Sequence, residues 1–212
     1  MIHFHYLVAA QWSYKEFGYT TIDVPWWATK DIVNLTKSPE LPTNNEYELS
    51  LNKKCLIASG EQGFLYMANK GQLPTGRYQA ITPCFRNEPH DAFHQKQFMK
   101  LELIDYTDTH TPWKLAPDAT ELNERIEDMV DDALETFDIL SQKKMTIRAV
   151  KTDDTAASRV PGTVAYDIEG QYEGNWIELG SYGARRAVFG TWVFGTSSAE
   201  PRFSKVLHAS SF

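Results

Sequence analysis

Apolar residues recur along the chain at two periods, and each period marks an element. Phe4, Leu7, Val8, Trp12 and Phe17 fall at roughly helical spacing, and Gly18 follows where a helix would end, so residues 4–17 are predicted as a helix. Tyr19 to Pro25 reads as a short strand. Residues 46–66 begin with alternation, pass through Cys55, Leu56 and Ile57, and turn at Ser59 and Gly60, which predicts two strand edges around a polar corner. Arg77 to Glu88 and Gln97 to Tyr106 read as two strands joined by the polar segment PHDAFHQK, an antiparallel hairpin with a long loop.

The clearest helix is Glu121 to Leu140. Leu122, Ile126, Met129, Val130, Ala133, Leu134 and Phe137 form its apolar stripe, and Asp118 or Thr120 can cap it. Its other face is acidic, with Glu121, Glu124, Glu127, Asp128, Asp131, Asp132, Glu135 and Asp138 read as a solvated surface. Beyond it, strands are predicted at Met145–Val150, Val164–Glu169, Trp176–Gly180 and Ala187–Phe194. Strands outnumber helices in an α+β order rather than a β-α-β alternation. No internal repeat or linker divides the chain, so one domain spanning 1–212 is expected.

Composition narrows the picture. The chain has 212 residues, 42% of them hydrophobic, enough for one substantial core. Cys55 and Cys84 are its only cysteines, too few for a disulfide scaffold and without zinc-ligand spacing, so buried thiols and no zinc are expected. No stretch approaches the roughly 18–20 apolar residues that span a bilayer, and the first residues lack a basic n-region and a cleavage site. A cytoplasmic protein with no membrane partner follows as the expectation. The formal charge of −7 and the lack of a Lys/Arg run argue against DNA binding and leave any RNA contact local.

The segment TPCFRNEPHDAFHQKQFMKLELID, Thr82 to Asp105, carries the most chemistry. Period-2 alternation sends Met99, Leu101 and Leu103 to one face and Phe98, Lys100 and Glu102 to the other, while Arg86 and Glu88 share a face of the preceding strand. An aromatic, two cations and two carboxylates can therefore converge on one sheet surface. The pattern alone leaves two readings open, a binding surface or a solvated face with cross-strand ion pairs.

The residues themselves are more specific. Cys-Phe-Arg-x-Glu, a loop, then Gln-Phe-x-Lys-x-Glu resembles motif 2 of class II aminoacyl-tRNA synthetases, in the form found in the seryl family. FGYTTIDVPWW with Pro25 looks like motif 1, on which such enzymes dimerise. CLIASGE, Cys55 to Glu61, is similar to the family's Leu-Ile-x-Thr-Ala-Glu, with Ser59 for threonine. AYDIEG at 165–170 and WIELGSYGARR at 176–186 are similar to two further seryl segments, and EPRFSKVLHASSF resembles the approach to motif 3.

The resemblance implies an α+β domain with a mostly antiparallel six- to seven-stranded sheet flanked by helices, forming a homodimer through the motif 1 region. It implies ATP-dependent activation of a small amino acid, with Arg86 at the α-phosphate, Phe98 stacked on adenine and Glu88 accepting from the adenine amino group. Glu178 and Ser181 match positions that hold ATP phosphates through Mg2+, a cation that prefers oxygen ligands. Ser59, Glu61, Lys100, Glu102, His208 and Ser210 would line the amino-acid site, Glu61 and Glu102 near the α-ammonium or side chain. His90 and His94 read as solvated loop residues.

Three departures shape the expected acceptor and chemistry. The chain opens at the motif 1 helix without the coiled-coil arm that holds tRNA in seryl enzymes, and the loop Pro89 to Lys96 is short, with one lysine. The missing arm and the acidic surface favour a carrier protein over tRNA as acceptor, while the incomplete match to motif 3 favours a catalytically inactive paralogue used for binding and dimerisation. The third is that motif 3 is expected to begin only near His208, His208 standing for an asparagine. Its arginine, which normally follows on a helix, would then have to be replaced by Lys205, Arg202, Arg185 or Arg186.

Overall fold

The computed structural model describes residues 1–37, 46–49, 53–87, 89, 91–109, 116–152 and 158–209. The first helix, α1 (Phe4–Glu16), buries Leu7, Ala10 and Tyr14 and stops as the sequence predicts. Gly18 takes φ +87, which brings the Tyr19 N–H to the carbonyl of Tyr14 at 3.0 Å and the Gly18 N–H to Lys15 at 3.1 Å. That double closure needs a left-handed residue, and glycine adopts it without steric cost. The segment predicted as a strand over 19–25 contributes only β1 (Thr20–Thr21).

A small antiparallel sheet follows, β2 (Trp27–Thr29), β3 (Glu48–Leu49) and β4 (Lys54–Leu56), in the order β2-β4-β3. It holds α2 (Lys30–Thr36), which the apolar pattern did not announce. The corner predicted at Ser59–Gly60 is instead the start of α3 (Gly60–Asn69), a correction with a steric cause. Gly60 reads as a turn residue, yet it and Gly63 are both helical. A Cβ on Gly60 would lie 2.7 Å from Thr82 Oγ1, and one on Gly63 would lie 2.8 Å from the Pro25 carbonyl, so they are glycine to let the helix lie close to its neighbours.

The main sheet has seven strands: β1, β5 (Gly76–Phe85), β6 (Gln97–Asp108), β7 (Ile147–Thr152), β8 (Ala165–Tyr172), β9 (Asn175–Ala187) and β10 (Gly190–Glu200). Their order is β1-β5-β6-β10-β9-β8-β7, antiparallel throughout except for the parallel β1–β5 pair. The fold class expected from the sequence is the one found. The β5–β6 hairpin is in the predicted place, while β9 and β10 run well past their predicted ends. The residues that β10 adds, GTSSAE, are mostly small and polar with weak strand preference, but all are buried at the sheet centre. Tyr182 fills the space above Gly195, where a Cβ would approach its ring to 2.5 Å.

One sheet face packs on α1 and α4 (Ala119–Ser141), with Leu101, Leu103, Ile168, Tyr182 and Val193 against Leu7, Tyr14, Ile126, Met129 and Phe137. Asp118 caps α4, accepting from the Glu121 N–H at 2.9 Å. Asp132 departs from the solvated acidic face predicted for this helix: it pairs with Arg77 at 2.5 Å, and Arg77 also donates to the Tyr19 hydroxyl at 2.6 Å. The other sheet face packs on α3, with Ala80, Ile104, Tyr106, Trp192 and Phe194 against Phe64, Leu65 and Ala68. A last helix, α5 (Arg202–Ala209), leaves the end of β10 and buries Phe203 and Val206. Among the described residues no helix is long and apolar enough to cross a membrane.

Candidate active site

Strand register fixes what stands beside what on the α3 face. Phe98, Lys100 and Glu102 of β6 lie opposite Cys84, Thr82 and Ala80 of β5, and on the other side Lys100 and Glu102 lie opposite Ala199 and Thr196 of β10. Directly opposed residues share a face, so the alternation read from the sequence becomes a polar floor at one end of the sheet. Glu102, buried to 1% exposure, accepts at Oε1 from the Ser59 hydroxyl at 2.6 Å, the Gly60 N–H at 3.2 Å and Lys100 Nζ at 2.9 Å. That cluster joins three predicted residues, Ser59, Lys100 and Glu102.

An open cleft of about 610 Å³ lies over this floor, lined by Arg86, Phe98, Lys100, Glu178, Thr196 and Arg202 among others. Arg86 donates through Nε to the Ala58 carbonyl at 3.2 Å, and its guanidinium carbon lies 5.2 Å from the centre of the Phe98 ring. Glu178 and Ser181 are three apart, which plain alternation would put on opposite faces. A bulge at Leu179 changes this: Glu178 lies opposite Glu169, and Ser181 opposite Asp167, two residues that share a face of β8. Glu178 and Ser181 therefore share a face as well, although only Glu178 lines the cleft.

Two predicted residues stand elsewhere. Glu61 was expected near a substrate ammonium, but its buried carboxylate is fully engaged by the protein, Oε2 with Arg185 and Oε1 with the Trp192 indole N–H at 2.7 Å. His208 was expected in the amino-acid site and instead points toward α1, its ring 5.5 Å from that of His3. Six residues beyond Arg202 on a 3.6-residue helix, it is turned about 120° away from the side that faces the cleft. Glu88, Ser210 and His90 lie outside the described residues.

His94 is an exposed loop residue, as the sequence predicts, and it also lines the cleft, held by Asp91 2.9 Å from its Nδ1. That bond and the N–H groups of His94 and Phe93 hold the Asp91 carboxyl well below its usual range. Arg202 is one of the four cations expected to stand in for the motif 3 arginine, and among those four it is the one that lines the cleft. It opens α5 and reaches into the cleft, donating to the main-chain carbonyls of Glu178 at 3.1 Å and Phe93 at 3.4 Å. A strand that runs into a helix opening with an arginine is thus present at β10–α5, earlier than the sequence match to motif 3 placed it. The signal was there in GTWVFGTSSAEPR, hidden by its low strand preference. The cysteines are buried free thiols, and burial pushes Cys84 up to about 11.

Compared by sequence, the chain matches no protein-family model and no curated protein. Compared by structure, it is similar to seryl-tRNA synthetase from Pyrococcus horikoshii complexed with ATP, with a TM-score of 0.68, 18% identity, and coverage of 95% of this chain and 49% of that one. The pyrrolysyl-tRNA synthetase of Desulfitobacterium hafniense gives 0.67 and 18%, covering 98% and 70%. The cytoplasmic serine-tRNA ligase of Naegleria fowleri in complex with AMP gives 0.71 and 19%, covering 95% and 46%. The chain spans about half the length of these seryl enzymes. It carries the fold of the class II aminoacyl-tRNA synthetase catalytic core.

Proposed function

We propose that the chain activates a small amino acid, of the seryl type, as its aminoacyl-adenylate at the expense of ATP. The observation that carries this reading is the joint lining of one cleft by Arg86 and Phe98 from the β5–β6 hairpin and Arg202 from the start of α5, above the Ser59–Lys100–Glu102 cluster. Phe98 offers a face for adenine, and the two guanidinium groups offer charge-assisted donors to phosphate. Glu102 uses Oε1 for the protein, and Oε2, which makes no bond among the described residues, is the acceptor for the α-ammonium. This holds the amino-acid carboxylate near Arg86.

An oxygen of that carboxylate attacks the α-phosphorus in line and pyrophosphate leaves. Arg86 offsets charge that grows on the phosphoryl oxygens, so the rate comes from positioning and electrostatics. Arg202 takes the part of the motif 3 arginine. Glu178 and Ser181, oxygen donors brought to one face by the bulge, fit Mg2+, which needs few protein ligands when phosphates supply the rest. Bound there, Mg2+ would neutralise polyphosphate charge.

The activated acyl group then passes to a tRNA or a carrier protein in the cytoplasm. A homodimer through α1 fits its outward stripe, where Phe4, Val8 and Trp12 are 52%, 43% and 61% exposed. The test is amino-acid-dependent exchange of pyrophosphate into ATP across the twenty amino acids, with Arg86→Ala as control. Exchange with one or two small amino acids that vanishes in the variant supports an activating enzyme. No exchange from folded protein replaces it with a binding and dimerisation module.

A further inference from the structure

Beyond the polar floor the same sheet face changes character within one pleat. Glu102 and Thr196 form one row of opposed residues; the next is Ile104, Phe194 and Gly183, and the one after is Tyr106, Trp192 and Arg185. Successive rows on one face lie about 6.7 Å apart, two residues of strand rise. Phe194 therefore stands one row beyond Glu102, the proposed ammonium site.

Phe194 is backed rather than loose. The Arg185 guanidinium carbon lies 4.1 Å from its ring centre, Glu61 from α3 pairs with Arg185, and the Trp192 indole closes on the other oxygen of Glu61. All four side chains are at least nine-tenths buried. Glu61 thus joins α3 to both β9 and β10, and a buried guanidinium with its carboxylate cannot be pushed aside without separating two charges in a dry interior.

We propose that Phe194 is the specificity-determining wall of the amino-acid site, with Arg185 and Glu61 as positioning residues that keep it from yielding, and that it limits the substrate side chain to hydrogen, methyl or hydroxymethyl. This rests on the adenylate-forming reading above and names the feature that selects its substrate.

The test is the pyrophosphate-exchange panel run on the full chain and on Phe194→Ala, with glycine, alanine and serine set against leucine, methionine and phenylalanine. Exchange in the unaltered chain is confined to the three small amino acids. In the variant, kcat/KM for leucine or methionine rises at least about tenfold relative to serine, the scale of removing a methylene-sized restriction in an apolar pocket. Phe194→Leu serves if the alanine variant loses its thermal transition. A merely structural role would lower all rates without changing their ranking. Exchange of leucine, methionine or phenylalanine by the unaltered chain at rates near serine overturns the inference while leaving adenylate formation standing, and so does an unchanged ranking in a folded variant. No exchange with any amino acid overturns adenylate formation and this inference with it.

Discussion

The guanidinium of Arg202 stands 3.8 Å from the carboxylate of Glu178 and donates to the same residue's main-chain carbonyl at 3.1 Å. A cation at the start of α5 is thereby tied to the proposed phosphate-binding strand. Arg202→Ala is expected to lower kcat/KM for pyrophosphate exchange about 10²- to 10³-fold, the range for losing one preorganised donor. Arg202→Lys keeps a point charge but not the fork, and is expected to fall between the two. Initial rates against ATP concentration check this, and unchanged rates in the alanine variant would remove Arg202 from the nucleotide site.

Arg86 differs from Arg202 in what its loss leaves behind. It contacts the Ala58 carbonyl and the Phe98 ring near the surface of the cleft, so Arg86→Ala is expected to keep the fold and lose catalysis. Circular dichroism should match the unaltered protein while exchange drops by at least about 10². A folded variant with full exchange sinks the assignment.

Glu61→Ala is expected to act first on stability. It leaves Arg185 as a buried cation without its carboxylate and the Trp192 N–H without an acceptor. Removing one partner of such a pair costs about 3–5 kcal/mol. Urea unfolding measures it, and a loss below about 1 kcal/mol would mean that Arg185 reaches solvent or another acceptor.

Glu200 gives the fold a pH dependence of known sign. Burial raises its carboxyl above the usual range, against the opposing effect of bonds from Ser204 and the His3 N–H. The folded protein therefore holds this proton more tightly than the unfolded chain. The resulting stability is complete below the ordinary glutamate pKa of about 4.3 and is lost as pH rises through the folded value. Asp105 and Asp132, also raised by burial, act in the same direction, so Glu200→Gln isolates one contribution. Between about pH 7 and pH 5 the unaltered chain should gain melting temperature relative to that variant. A parallel shift in both would refute it.

The outward stripe of α1 makes a prediction about assembly. Trp12→Glu places a charge on the exposed apolar side of the helix, opposite buried Leu7, Ala10 and Tyr14. Sedimentation should show a dimer for the unaltered chain and a 24.2 kDa monomer for the variant. Monomeric behaviour of both excludes the α1 dimer.

Local periodicity determined much of this protein. The two faces of the β5–β6 hairpin, the stripe and cap of α4, and the placing of Arg86, Phe98, Lys100 and Glu102 toward one surface were legible because alternation and helical spacing are properties of neighbouring residues. Only the tertiary structure decided the rest. Glu61 looked like a ligand for substrate until the fold brought Arg185, 124 residues away, and Trp192, 131 residues away, to its two oxygens. Glu178 and Ser181 share a face only because a bulge inserts one residue between them, and GTSSAE is strand because it pairs with β6. A carboxylate's partner, a bulge and a central polar strand are all set by which distant segments the sheet brings together, and no local pattern encodes that choice.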